Sequence, residues 1–112
     1  MDTDWSDWRA FPDPRHKGIL VAPFGPGCYE VRHRGTGSLV LFGTAGHTAQ
    51  RITSLLPEPY GAGTRINTAK RRYCLENIED LEYRTLACAT KEDAARAERF
   101  LKATPGAYVF GT

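Results

Sequence analysis

Two patterns of charged residues in this chain carry more chemistry than a simple core-and-surface design needs. Across residues 94–101, Ala94, Ala97 and Leu101 recur on one face of a helix, and Glu98 stands beside that stripe. A carboxylate drawn partly out of water there needs a positive partner, either an arginine or a divalent cation. Its plainer role is a rim ion pair with a neighbouring base. His47 and Arg51 lie four residues apart, so they are neighbours on a helix. Such a pair suits a phosphate, the guanidinium offering two donors, although solvent-facing residues share the same spacing. Downstream, Arg65, Lys70, Arg71 and Arg72 follow a loop containing Gly61 and Gly63. That arrangement fits tracking of a nucleic-acid backbone, and fits equally a solvated helix face.

The elements that must position these residues can be read in order. Residues 1–26 hold two tryptophans, four prolines and no clean periodicity. They read as an N-terminal arm, with a short helical turn around Trp5 to Trp8 and aromatics that tack it onto the domain. Pro23 to Gly27 is a turn. Cys28 to Arg32 and Ser38 to Phe42 read as strands joined through Arg34 to Gly37 as a β-hairpin. A helix follows from about Gly46 to Leu56, because Ala45, Ala49, Ile52 and Leu56 share one face. Thr44 would cap it and Pro57 would stop it. Asn67 to Asn77 reads as a second helix and Leu81 to Cys88 as a third strand. Thr90 to Asp93 resembles a capping box opening a helix to about Ala103, which Pro105 and Gly106 end. The apolar tail from Ala107 to Phe110 should pack back. The expected fold is α/β (α+β): a single small domain with a three-stranded antiparallel sheet flanked by helices, in the order β-β-α-α-β-α.

At 112 residues the chain has room for one modest core. No apolar run approaches a membrane span and the start is acidic, so the expectation is a cytoplasmic protein with no membrane association. Cys28, Cys74 and Cys88 lack a paired spacing, which argues for core residues over a disulfide framework or a structural zinc site. The net charge is only +2, but its distribution is uneven: −3 over residues 1–13, +7 over 14–75 and −2 over 76–112. A basic middle between acidic ends creates a local positive field.

Gly27-Cys28-Tyr29 followed by Leu41-Phe42-Gly43 resembles the paired signature of the GIY-YIG nuclease superfamily, and in particular a small stand-alone bacterial-type member. Arg51, eight residues beyond Gly43, matches the family's arginine on the first helix. Glu98, among small residues and followed by Pro105, is similar to its metal-binding glutamate. The resemblance covers residues 27 to 108, with the motif glycines at Gly27 and Gly43, and its weight comes from four elements in order rather than from any one. It implies a metal-dependent endonuclease that nicks DNA (more readily than RNA) with little base specificity. Glu98 would hold one Mg²⁺ or Mn²⁺, Arg51 would clamp the scissile phosphate and Tyr29 would take or orient a proton of the attacking water. His47 would be a helper or alternative base, and Arg65, Lys70, Arg71 and Arg72 would contact the backbone. A protein partner would serve for targeting.

The chain departs from the family pattern in three places. Leu41 replaces the second tyrosine, Thr44 stands where some members carry lysine, and Tyr108 sits near the place of the family's asparagine. These departures leave open a nucleic-acid-binding module that kept the fold without the chemistry. A further alternative is an interaction domain using Trp5, Trp8 and Phe11.

Overall fold

A computed structural model describes residues 5–13, 20–56, 61, 68–102 and 108–110. Two seven-residue strands, β2 (Gly27–His33) and β3 (Leu39–Ala45), form the expected antiparallel hairpin. Its turn is closed by His33 N–H to the Ser38 carbonyl (2.8 Å) and Gly37 N–H to the His33 carbonyl (2.8 Å). Strand β4 (Leu81–Ala87) lies antiparallel on the other side of β2. Among the described residues the helices are α1 (Thr48–Thr53), α2 (Thr68–Glu76) and α3 (Lys91–Lys102), with one 3₁₀ turn at Ile78–Asp80.

The sheet has four strands rather than three. Arg9–Ala10 of the arm, β1, pair with Tyr83 and Glu82, giving the order β1-β4-β2-β3. Trp5 makes a further bridge to Leu86, and Ser6 N–H donates to the Thr85 carbonyl (2.8 Å). The expected helical turn at Trp5 to Trp8 is therefore replaced by extended chain. The physical reason is that the outer edge of β4 exposes unpaired backbone groups that only an extended partner can satisfy. Phe11, which follows Ala10 and donates its N–H to the Leu81 carbonyl (3.0 Å), sits in the core at 3% exposure.

Strand alternation divides the sheet into two unlike faces. Tyr29, Val31, Leu41, Leu81 and Tyr83 point to one side and pack with Ile52, Leu55, Leu56 and Cys74 from the α1 and α2 region. Cys28, Glu30, Arg32, Thr44, Glu82 and Arg84 occupy the other side, where the Cys28 thiol meets the Ala94 carbonyl of α3 (3.4 Å). There the buried Glu30 carboxylate receives Arg84 (2.7 Å) and the Tyr108 hydroxyl. The Arg32 guanidinium lies 3.9 Å from the centre of the Trp8 ring and that of Arg84 4.4 Å from Trp5. The arm's tryptophans thus cover this polar face by stacking on its arginines, as expected of a packed arm.

Helix α1 is shorter than the periodicity implies. Because Gly27 and Cys28 pair with Ala45 and Thr44, the strand runs on to Ala45 and the helix can begin only at Thr48. His47, not Thr44, is its N-cap. Helix α2 and α3 match their expected spans closely. Thr90 caps α3 by accepting from Asp93 N–H (3.1 Å). The tail returns as expected, with Val109 and Phe110 amides donating to the carbonyls of Leu39 (3.1 Å) and Val40 (2.9 Å). The three cysteines are free thiols; Cys28 and Cys74 are buried and Cys88 is half-buried.

Candidate active site around Tyr29

The site starts from a glycine. A Cβ on Gly43 would stand 2.5 Å from the Tyr29 hydroxyl oxygen and 2.6 Å from the ring carbon that bears it. Tyr29 and Gly43 are direct partners across the β2–β3 ladder, so the tyrosine ring lies over the space where β3 has no side chain. Gly27 has a comparable role at the other end of the motif. A Cβ there would strike the Leu86 carbonyl and come within 2.7 Å of the Thr48 hydroxyl, so only glycine lets β2, β4 and α1 close together.

Arg51, exposed on α1, stands near enough to the buried Tyr29 hydroxyl to act on it. Burial pushes the Tyr29 phenol above its ordinary value, and the arginine opposes that shift without overcoming it. Tyr29 is therefore a neutral hydroxyl at physiological pH, able to donate or relay a hydrogen bond.

Glu98, half-buried on α3, approaches from the other face of the sheet, near enough for its charge to act on Tyr29. Its Oε2 accepts a 2.9 Å hydrogen bond from the Thr44 hydroxyl. Thr44 follows Gly43 on β3, so Tyr29 and Glu98 lie against neighbouring residues of this strand from opposite faces of the sheet. Cys74 of α2, with 0% exposure, backs the Tyr29 side, and Lys70, one turn earlier, lies near enough to Cys74 to act on its thiol. β2 and α1 thus bring Tyr29 and Arg51 near each other on one face of the sheet, while α3 places Glu98 beside Thr44 on the opposite face.

The other expected residues are placed differently. His47 is exposed, and its Nδ1 accepts from Gln50 N–H (3.1 Å) as the cap of α1. That nitrogen is committed to the helix and is not available as a base, leaving Nε2 to carry the proton. Arg71 is spent on the fold: it donates to the Leu56 carbonyl (3.0 Å) and to that of Gly61 (3.1 Å), tying α2 to the end of the α1 segment. Arg72 is exposed and Lys70 half-buried. Arg65 and Gly63 lie outside the described residues. Leu41 is a core residue at 1% exposure, paired with Val31, and brings no hydroxyl to the site. Tyr108 turns to the opposite face, where burial and its bond to the Glu30 carboxylate push its phenol up and keep it protonated.

Thr44 is the residue that sequence reading misassigned. Its signal was parity: as the strand neighbour of Gly43, it must point to the face that α3 covers. Among the described residues no group of three or more histidine, cysteine, aspartate and glutamate side chains is arranged to hold a metal. A lone carboxylate fits only a hard cation that keeps water ligands and shares a substrate phosphate.

No family model matches the chain, and no curated protein or solved structure matches it. Among the described residues no helix is long and apolar enough to cross a membrane.

Proposed function

We propose that the chain is a metal-dependent endonuclease that nicks DNA with little base specificity. The observation that supports this reading is the Arg51 guanidinium acting on the buried Tyr29 phenol beside Gly43, with the Glu98 carboxylate bonded to the next strand residue, Thr44. Phosphodiester hydrolysis needs a water aligned with the leaving oxygen and positive charge at the phosphate. Arg51, exposed on α1, would clamp the scissile phosphate with paired donors. Tyr29, held neutral by burial, would orient the attacking water rather than remove its proton outright. Glu98 would hold one Mg²⁺ or Mn²⁺, which supplies charge neutralisation at the leaving 3′ oxygen. The Thr44 hydroxyl would set the carboxylate's orientation from behind. Lys70 and Arg72 would add backbone attraction that is independent of base sequence and sensitive to salt. One such site per chain cuts one strand, and targeting would come from nucleic-acid structure or a protein partner.

A second reading, a nucleic-acid-binding module without catalysis, is favoured by Leu41, which buries a hydrocarbon where the resembled pattern has a hydroxyl. Nicking of supercoiled plasmid with Mg²⁺, Mn²⁺ or EDTA separates the two. Metal-dependent nicking that Glu98→Gln and Arg51→Ala abolish, and that Thr44→Val lowers by about 10-fold or more, supports the nuclease. Salt-sensitive binding without nicking supports the binder.

A further inference from the structure

Phe24 is the most exposed of the large apolar side chains among the described residues, at 80%. An aromatic ring on a loose loop would need no explanation. The backbone that carries this ring is held firmly. The Pro23 and Gly25 carbonyls on either side of it accept the amides of Ala49 (2.8 Å) and Thr48 (3.0 Å), and the Thr48 hydroxyl also donates to the Gly25 carbonyl (3.0 Å). Pro23 and Pro26 restrict the backbone further. The turn is thereby bolted to the start of α1 with its phenyl ring pointing into solvent.

Among the described residues its aromatic neighbour is His47, at 5.7 Å between centroids and 61° between planes. His47 is itself oriented by its bond to Gln50 N–H. Arg51 comes one helical turn later, its own N–H bonded to the His47 carbonyl (3.1 Å), and reaches Tyr29. His47, with the Phe24 ring against it, therefore stands one helical turn before the candidate phosphate clamp, Arg51. Both rings also lie within the stretch of sequence that carries the chain's excess positive charge.

We propose that Phe24, braced by His47, is a stacking platform for an unpaired nucleobase beside the phosphate held by Arg51. The inference rests on the nuclease reading and narrows its substrate class to single-stranded or locally unpaired nucleic acid. A base inside a duplex is stacked on both faces and cannot lie on an external ring without being freed. A base in a flap, a gap or a single strand has a free face, and any of the four bases presents one. The platform gives a preference for unpaired structure without a preference for sequence.

The test uses the full chain in EDTA, so that binding is read without cleavage. The probes are a short fluorescein-labelled single strand and a hairpin duplex of the same sequence, each also made with 2-aminopurine. Wild type should bind the single strand more tightly than the hairpin and quench 2-aminopurine in it. Phe24→Ala should weaken single-strand binding about tenfold and remove the quenching while hairpin binding stays nearly constant. Phe24→Trp should retain both. Because Phe24 is exposed, the alanine variant removes little packing, and its melting temperature should match wild type. Single-strand binding unchanged in Phe24→Ala, or an equal loss on both probes, overturns the platform. If that happens while Glu98→Gln and Arg51→Ala still abolish nicking, the nuclease reading survives without it. A selective single-strand loss in Phe24→Ala with no nicking by wild type keeps the platform and removes the nuclease. A wild type that binds neither probe overturns the platform, and the nicking assay alone then decides the nuclease reading.

Discussion

Replacing Gly43 by alanine tests the geometry on which the candidate site depends, whatever its chemistry. The added Cβ would meet the Tyr29 hydroxyl oxygen at 2.5 Å, where ordinary contact begins near 3.4 Å. The ring must therefore retreat by about 0.9 Å, and Tyr29 is buried at 7% exposure with Cys74 behind it. Overpacking of this kind costs about 1–3 kcal/mol. The atoms in conflict are the hydroxyl, the carbon that carries it and one ring carbon beside it, all in the outer part of the side chain. Leucine at position 29 lacks all of them while keeping the inner apolar body. In urea titrations, Gly43→Ala should destabilise wild type by about 1–3 kcal/mol and destabilise Tyr29→Leu by much less, a coupling free energy of comparable size. Should the nuclease reading hold, displacement of the hydroxyl by nearly 1 Å from Arg51 should also lower nicking by about 100-fold. Equal cost of Gly43→Ala in the two backgrounds would refute the packing argument, and normal nicking by Gly43→Ala would refute a role for the Tyr29 hydroxyl.

Two further outcomes follow from buried ionisable groups. Glu30→Ala removes the carboxylate that receives Arg84 and Tyr108, so urea denaturation should show a loss of about 3 kcal/mol, with Glu30→Gln losing less. A cost within experimental error for Glu30→Ala would show that Trp5 and Trp8 stacking alone satisfies Arg84. The second outcome concerns alkaline pH. Burial pushes the Cys28 and Cys74 thiols up to about 12, whereas an unfolded chain ionises its thiols near 8.5. Between those values the folded state keeps protons that the unfolded state loses, so stability is full below the unfolded value and falls as pH rises. Urea midpoints should decline from about pH 8 to about pH 10, and less steeply in Cys74→Ala. A flat profile would mean that these thiols ionise as readily folded as unfolded.

The sequence by itself determined the local elements. Alternation along 28–32 and the apolar run along 38–42 marked the hairpin, and Thr90 with its following acids marked the start of α3, because strand patterning and helix capping are read from neighbours a few residues apart. It also nominated Tyr29, Arg51 and Glu98 through a resemblance spread over three elements. Only the tertiary structure decided what those residues and their neighbours do. The arm's strand β1 exists because the edge of β4 lacks partners, a condition visible only once β4 has its place in the sheet. Thr44 reads as a cap until its pairing with Cys28 keeps it in β3 and turns its hydroxyl to Glu98. Arg71 and Arg72 are alike in sequence, yet packing ties one to the Leu56 and Gly61 carbonyls and leaves the other in solvent. His47 and Arg51 share a helix face in the sequence pattern, but the end of β3 makes the histidine a cap beside Phe24 and leaves the arginine to reach Tyr29. Periodicity reports which way a side chain points from its own element. What it meets there depends on the element packed opposite, which is a long-range property of the fold.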